Sequence, residues 1–165
     1  MTLDKKSLRV RRAVRDDAPA IADIYNQGIV DRVATFETTL RSASDVLQWF
    51  ERPHPIVVVA DADDVVGFAV SSPSSGRCCY ATNADFSVYV ARGARGRGAG
   101  SLAMKGLVDA ARDAGFFKLL SGVFPENTPS RALLRKIGFR EVGTYERHGQ
   151  LDGAWHDVII VELLL

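Results

Sequence analysis

The chain has 165 residues, of which 47% are hydrophobic and 25% charged, and its formal net charge is +1. This length allows one globular domain with a sizeable core, and the composition is that of an ordinary soluble protein. The near-zero net charge argues against a chain dedicated to nucleic acid or to a membrane surface, and no apolar run is long enough to span a bilayer.

The first half of the chain predicts one strand, two helices and then a hairpin. Residues 1–7 are polar and are expected to form an arm ahead of a single domain over residues 8–165. The continuous apolar run at Ile56–Ala60 indicates a strand that is covered on both faces. The predicted elements are a strand at Leu8–Val14, a helix capped by Asp16 or Asp17, a short helix capped by Ser42 or Ser44, and strands at Ile56–Ala60 and Val65–Val70.

The second half predicts a strand, a helix, a strand, a helix and two closing strands. Ser71–Gly76 is typical of a loop that precedes them. Gly115 and Gly138 are typical helix stops, because glycine readily adopts the left-handed conformation that ends a helix. The predicted elements are a strand at Phe86–Val90, a helix after Gly100, a strand at Phe116–Phe124, a helix at Pro129–Ile137, and strands at Arg140–Arg147 and Trp155–Leu164 joined by His148–Gly153.

The cysteines bear on metal binding and on the cellular compartment. Cys78 and Cys79 are adjacent, which disfavours a disulfide between them and offers no metal-ligand spacing. The acidic turn Asp61–Asp64 lacks the glycine and glutamate of a calcium loop, so we expect no metal. Free cysteines and a start without an apolar signal region together predict a cytoplasmic protein.

The loop Arg92–Gly100 carries the strongest functional signal, with four glycines and three arginines in nine residues. Glycines allow a backbone to turn several N–H groups inward, and the helix that follows presents its own unpaired N–H groups at the same place. The positive end of the helix dipole adds to this arrangement. The sequence therefore predicts a phosphate-binding loop between a strand and a helix.

Several other interpretations compete for this loop. A flexible surface turn with solvated arginines stays open, whereas an Arg-Gly nucleic-acid segment is disfavoured because such segments are usually long and disordered. A P-loop is excluded because no Lys-Ser or Lys-Thr follows the last glycine. Gly98–Ala103 matches a dinucleotide fingerprint, but the acid expected about 20 residues later is absent from Lys118–Gly122.

The pattern Arg95-x-x-Gly98-x-Gly100, placed between a strand and a helix, resembles the coenzyme-A pyrophosphate loop of the GNAT acetyltransferase superfamily. Asn127 and the segment Leu134–Phe139 resemble the second cofactor segment of that superfamily. The resemblance implies the GNAT fold, an α+β fold with a central, mostly antiparallel twisted sheet. For this chain, that fold implies about seven strands and about four flanking helices, with the sheet splayed between the fourth and fifth strands.

Two further segments, Phe86–Val90 and Ala154–Val158, are similar to the phosphinothricin-type amino-acid N-acetyltransferases, so that the resemblance covers nearly the whole chain. It implies acetyl-CoA as the cofactor, a small amine or amino acid as the substrate, and a homodimer. The residues implied to bind the cofactor are Val88, Tyr89, Val90, Arg95, Gly96, Arg97, Gly98, Ala99, Gly100, Ser101, Asn127 and Ser130.

Acetyl transfer to an amine needs a group that accepts the proton of the ammonium. Asp85 lies where the resembling enzymes carry a carboxylate, and we predict it as the general base; a role in binding the ammonium or capping the strand stays open. His156 is a second candidate, since imidazole titrates near neutrality, although a structural histidine is the alternative. Leu134 occupies the position of the tyrosine or histidine of the resembling proteins, so no general acid is assigned.

The substrate pocket is expected to suit an amino acid with an anionic far end. Arg77 is predicted to pair with a carboxylate, phosphinate or arsenic oxyacid, with a solvated loop arginine as the alternative. The predicted function is acetylation of the α-amine of glutamate analogues such as phosphinothricin, arsinothricin and methionine sulfoximine or sulfone, which is a detoxification or resistance activity. The alternatives are a peptide or protein N-terminal acetyltransferase and, because of Leu134, an inactive coenzyme-A-binding sensor. The residues expected to line the pocket are Phe36, Arg77, Tyr80 and His156.

Overall fold

Seven strands in one sheet and four α-helices make up residues 8–165, the part of the chain that the computed structural model describes. The predicted arm at residues 1–7 lies outside the described residues. The strands are β1 (Arg9–Arg12), β2 (Ile56–Asp61), β3 (Asp64–Pro73), β4 (Asn83–Val90), β5 (Lys118–Val123), β6 (Arg140–Leu151) and β7 (Ala154–Leu164). The helices are α1 (Ala18–Asp31), α2 (Ala43–Leu47), α3 (Ala99–Asp113) and α4 (Thr128–Ile137).

The strand order is β1-β2-β3-β4-β5-β7-β6, and among the described strands every pairing except β4 with β5 is antiparallel. This confirms the predicted mixed sheet and its flanking helices. Several boundaries were predicted wrongly. β4 begins at Asn83, three residues before the predicted Phe86. β3 continues through the predicted loop as far as Pro73, and β6 continues through the predicted connection at His148–Gly153 as far as Leu151. Asp152 and Gly153, with φ of 50° and 80°, then form the turn into β7.

The helix caps follow the sequence in one case and depart from it in another. Ser42 caps α2 as predicted, accepting a hydrogen bond from the Asp45 N–H at 3.2 Å. Asp17 directly precedes α1, but its carboxylate accepts from the Val14 N–H at 2.8 Å and from the guanidinium of Arg11. Asp17 therefore fixes the turn before α1 and does not cap the helix with its side chain, because those two partners occupy the carboxylate.

The core lies in two layers, one on each face of the sheet. In β2, Val57 and Val59 pack with Met104 and the rest of α3, whereas Val58 packs with Ile21 of α1. All of these side chains are buried. β2 is thus covered on both faces, as its continuous apolar run predicts.

The two parallel strands separate partway along their length. β4 pairs with β5 at Asn83–Asp85 opposite Lys118–Leu120. Beyond Asp85, β4 continues to Val90 while β5 pairs with β7 on its other side. The sheet is therefore open between β4 and β5, as predicted, and this opening positions the site described next.

Candidate active site

A cleft of about 1070 Å³ occupies the opening between β4 and β5. This volume is slightly above the usual range for small-molecule sites, about 300–1,000 Å³. The cleft brings together residues far apart in the chain, from Tyr25 in α1 to Ile160 in β7. The predicted cofactor residues among its lining are Val88, Tyr89, Val90, Arg95, Gly96, Gly98, Ala99, Gly100, Ser101, Asn127 and Ser130.

The edge of β4 that faces the cleft carries free backbone groups. Ala91 donates from its N–H to Val66 in β3, whereas the Thr82 carbonyl accepts from Phe117 on the β5 side. Since backbone groups point to opposite edges at successive residues of a strand, Val88 and Val90 face the β5 side. Pairing with β5 has already ended there. The Val90 carbonyl accepts from the Arg95 guanidinium at 3.1 Å, so the backbone groups of Val88 and the N–H of Val90 are the ones that can pair with the amides of an extended ligand, as an added strand would.

The glycine-rich loop ends directly at the first turn of α3. Gly96 and Gly98 have φ of +76° and +88°, a conformation that glycine adopts without strain. Gly98 precedes the helix, and the first N–H to reach back to it is that of Leu102. The N–H groups from Ala99 to Ser101 therefore have no intrahelical acceptor and are available to an anion.

The three arginines of this loop are held by carboxylates from outside it. Arg92 and Arg95 donate to Asp31 at the end of α1, at 2.6 and 2.8 Å, and Arg97 donates to Asp61 at 2.9 Å. The hydrogen bond from Arg92, followed by that from Arg95, holds the pKa of Asp31 below its ordinary value. These ion pairs anchor the arginines, which thereby set the shape of the loop as well as its charge, while the backbone N–H groups of Ala99–Ser101 stay free to bind an anion.

The opposite wall of the cleft comes from α4. Asn127 caps this helix, accepting from the Ser130 N–H at 3.3 Å, and both residues line the cleft. The cap occupies the side-chain oxygen of Asn127 and leaves its NH₂ group as a donor. Leu134 also lines the cleft but is 1% exposed and belongs to the core, so this position offers no proton donor.

Asp85 lies where β4 and β5 diverge, as the last β4 residue that pairs with β5. The carboxyl is partly buried, and this desolvation raises the pKa of Asp85 from 3.8 to about 6. A carboxyl with that pKa is ionised at neutral pH, and its carboxylate is a stronger base than that of an ordinary aspartate. The pKa of a group at a cleft is often perturbed in this way where it takes part in chemistry.

Aromatic residues close the cleft at the end of the sheet. Phe36, in the connection between α1 and α2, lies edge-on to Phe124 with centroids 4.9 Å apart. A Cβ placed on Gly149 in β6 would lie 2.7 Å from the Phe36 ring, so this glycine permits the contact. His156 packs against Phe124 at 5.1 Å, whereas His148 lines the cleft.

His148 owes its position to an irregularity in β6 that the sequence pattern does not predict. The pairing with β7 shifts between Tyr145 and Gly149, so that extra residues of β6 bulge outward. Arg147, with φ of 45°, donates from its N–H to the Asp157 carboxylate at 2.7 Å. The Trp155–Asp157 segment thus contributes through Asp157 to the shape of the cleft wall.

Arg77 and Tyr80 lie apart from the other predicted site residues. Both belong to the connection between β3 and β4, both are exposed, and the guanidinium of Arg77 lies 5.7 Å from the Tyr80 ring centre. Neither lines the cleft formed by residues 8–165. Asp85, His156 and, of the predicted cofactor residues, Arg97 are likewise absent from the lining of this cleft.

The open strand edge, the anion-binding loop and the length of the cleft fit a coenzyme-A thioester, with its amide-containing arm along β4 and its diphosphate at α3. Fold and site together define an acyl-coenzyme-A-dependent acyltransferase. Among residues 8–165, no cluster of side chains with metal-ligand character occurs, and no helix there is both long and apolar enough to cross a membrane.

Comparisons with known proteins agree with this class. Residues 21–139 match the model of the acetyltransferase (GNAT) family, and the chain belongs to that family. A phosphinothricin N-acetyltransferase of Streptomyces coelicolor is 34% identical over 158 residues, covering 92% of each chain. The relatives thus agree with the phosphinothricin-type resemblance of the sequence.

Two solved structures show the same fold. A ribosomal-protein-alanine N-acetyltransferase of Brucella melitensis has a TM-score of 0.90 and 32% identity, with 95% of this chain and 99% of that one covered. A phosphinothricin acetyltransferase of Sinorhizobium meliloti in complex with acetyl-CoA has a TM-score of 0.88 and 28% identity, with 96% and 88% covered. The protein is therefore an acetyltransferase that uses acetyl-CoA.

Proposed function

We propose that this protein acetylates the α-amine of glutamate-analogue amino acids whose side chain ends in a tetrahedral oxyacid or a sulfone. Phosphinothricin, arsinothricin, methionine sulfoximine and methionine sulfone are the candidates, and their acetylation is a detoxification or resistance activity. The observation that carries the proposal is the partly buried carboxylate of Asp85 at the point where β4 and β5 diverge to open the cofactor cleft. The name of the Streptomyces coelicolor relative supports the same substrate class.

In this proposal the chain binds and orients both reactants. Acetyl-CoA supplies the acetyl group as a thioester. The backbone groups of Val88 and the N–H of Val90 hold the arm of the cofactor, the N–H groups at the start of α3 hold its diphosphate, and Asn127 donates to the arm. Fixing the two reactants beside each other supplies much of the acceleration expected of such an enzyme.

Asp85 binds the ammonium of the acceptor and accepts its proton. An amine attacks only when it is deprotonated, and a carboxylate with a pKa of about 6 is ionised at neutral pH and available as the acceptor. Leu134 provides no proton for the departing thiolate. The pKa of a thiol, about 8.5, makes thiolate a tolerable leaving group, so that water or the proton taken from the ammonium suffices.

The remaining parts of the proposal concern the substrate end and assembly. Phe36, Tyr80 and His156 would frame the acceptor, with Arg77 attracting its anionic end. We also propose a homodimer, since Tyr145 and Trp155 on the last two strands are 53% and 57% exposed and β6 is an unpaired edge in the described chain. The free cysteines Cys78 and Cys79 support the proposal of a cytoplasmic location.

One alternative acceptor has support of its own. The Brucella melitensis structure carries the name of an enzyme that acts on a ribosomal protein, so a peptide α-amine is the second candidate. The chemistry at Asp85 would be the same for both acceptors. An inactive coenzyme-A-binding sensor, suggested by Leu134, would bind the cofactor and acetylate no amine.

Thiol release from acetyl-CoA distinguishes these possibilities. The screen uses phosphinothricin, methionine sulfone, glutamate, unrelated amines and short peptides with free N-termini. The proposal expects the glutamate analogues to give the highest kcat/KM. Efficient acetylation of peptides with refusal of every glutamate analogue would replace it with the alternative acceptor, and no turnover at all would favour the sensor.

A further inference from the structure

A second, smaller cavity lies on the face of the sheet that α1 and α2 cover. Its volume is about 330 Å³, and it opens between the residues that follow α2 and the strands β3 and β4. Tyr25 and Tyr89 line both this cavity and the cofactor cleft. The two spaces therefore meet at these tyrosines, so that a molecule in the smaller one lies beside the cofactor.

The inner wall of this cavity is rigid and aromatic. Tyr25 lies edge-on to Tyr89 at 5.0 Å and to Trp49 at 6.0 Å, and Phe68 stacks on Tyr89 at 5.6 Å. Gly28 allows this packing, because a Cβ there would lie 2.6 Å from the Tyr89 ring. Such a wall suits the methylene groups of a small ligand rather than a polar backbone.

The floor of the cavity leads to Asp85. Ser72 and Ser87 both line the cavity, and Asp85 is the cross-strand partner of Ser72. Side chains two residues apart on a strand share one face of the sheet, so Asp85 and Ser87 lie on the same face. Asp85 thus lies on the same face of the sheet as the floor of the smaller cavity, next to Ser72 and Ser87.

The rim of this cavity carries charged groups, and among those contributed by residues 8–165 one cation, that of Arg52, has no ion-pair partner. Asp45 accepts from the N–H and hydroxyl of Ser42, and Arg41 pairs with Glu37 at 2.8 Å. Arg52, exposed at the end of the turn after α2, has no side-chain hydrogen bond or carboxylate partner within the described chain.

The position of Arg52 relative to Asp85 is set by the backbone. The Ser71 N–H donates to the Pro55 carbonyl at 3.0 Å, which fixes the segment carrying Arg52 against the end of β3. Ser72 is the next residue and the partner of Asp85. Arg52 therefore lines the small cavity as a site for an anion, and Asp85 lies next to the floor of that cavity as a site for a cation.

We infer that this cavity holds the side chain of the acceptor amino acid and that Arg52 pairs with its terminal anion, a specificity role beyond that of Arg77. The inference rests on the proposed function. A volume of about 330 Å³, at the lower end for ligand sites, accommodates one amino acid and excludes a peptide. The charges select an acceptor with an ammonium at one end and an anion at the other.

Calorimetry on the protein saturated with coenzyme A tests this inference, since no acetyl group is then present and binding is read without turnover. The ligands are phosphinothricin, whose side chain ends in an anion, and methionine sulfone, whose side chain ends in a neutral group. Arg52→Ala should weaken phosphinothricin binding about tenfold or more and methionine sulfone binding less than about twofold. Arg52→Lys should restore part of the loss, and Arg9→Ala, at an exposed arginine of β1, should change neither affinity.

A second readout locates the ligand. The chain has two tryptophans, so Trp155→Phe leaves Trp49 as the reporter within the cavity. Ligand binding should change its fluorescence. Unchanged fluorescence despite calorimetric binding would overturn the location of the ligand.

The remaining outcomes separate this inference from the proposed function. If the wild-type protein acetylates glutamate analogues and Arg52→Ala binds phosphinothricin with unchanged affinity, the proposed function stands and the inference is overturned. Equal losses for both ligands overturn it as well, because the effect would not depend on charge. Protein that binds neither ligand and releases no thiol with any amino acid overturns both.

Discussion

Replacing Asp85 with asparagine is expected to stabilise the protein at high pH while removing most of its activity. Burial raises the pKa of Asp85 from 3.8 to about 6. The protonated carboxyl therefore contributes stability that is complete below about pH 4 and is lost as the pH rises through about 6, since the unfolded chain ionises first. Asparagine has no such ionisation, so the variant keeps at pH 8 what the wild-type protein loses.

The magnitude follows from the two pKa values. A difference of about two pH units corresponds to about 3 kcal/mol of ionisation penalty in the folded protein. Because part of the Asp85 side chain reaches solvent, screening reduces the expected gain for Asp85→Asn to about 1–2 kcal/mol. For a chain of this size, that corresponds to a melting temperature higher by about 3–6 °C at pH 8 and unchanged at pH 4.

Thermal melts from pH 4 to pH 8, with thiol release measured on the same preparations, test both consequences. Loss of a general base should lower kcat by about 100-fold or more at neutral pH, and the wild-type kcat/KM should fall below about pH 6. Asp63→Asn, at an exposed acid of the turn between β2 and β3, is the matched control. A melting difference that is the same at pH 4 and pH 8 would refute the desolvation argument. If Asp85→Asn keeps its full kcat, the group that accepts the proton is His156 or water and not Asp85.

Three further predictions concern the cofactor, the acceptor and assembly. Gly98→Val should abolish the rise in melting temperature that acetyl-CoA causes, because valine does not tolerate φ of +88°. Gly93→Val, the control, should retain that rise. An equal rise with NAD in the wild-type protein would contradict the assignment of the loop to coenzyme A. Arg77→Ala should raise KM for phosphinothricin with kcat nearly unchanged, since a charge that holds substrate and transition state alike contributes uniform binding; steady-state kinetics showing the loss in kcat would argue against that role. Sedimentation at micromolar concentration should show a dimer, and a monomer would remove the assembly proposal.

Much of the fold could be predicted from the sequence because its signals are local. The alternation in β1, the apolar run in β2 and the glycines that end α3 and α4 each report the conformation of their own segment. The extension of β6 to Leu151 was also within reach, since Asp152-Gly153 is a typical sequence for a two-residue hairpin turn. The prediction of a six-residue connection rests on the glycines and polar residues of His148–Gly153, which are common in loops.

The sequence signal for the candidate site is strongest where one continuous segment forms it. The loop Arg92–Gly100 and the helix after it are contiguous, so their anion-binding character was visible in the sequence. Asp31 pairs with two arginines of this loop more than sixty positions away in the chain, a contact that no local pattern indicates. The placement of His148 at the cleft depends on the β6 bulge and its contact with Asp157, which are likewise tertiary.

The most direct test of the account is a comparison of kcat/KM for phosphinothricin with that for a short peptide, using thiol release from acetyl-CoA by the wild-type protein. The account predicts acetylation of the α-amine of phosphinothricin, identified by mass, with a kcat/KM at least about a hundredfold above that of the peptide, a margin that selective binding of both charged ends can supply. Equal or faster acetylation of the peptide would contradict the proposed acceptor, even though the fold and the cofactor would stand.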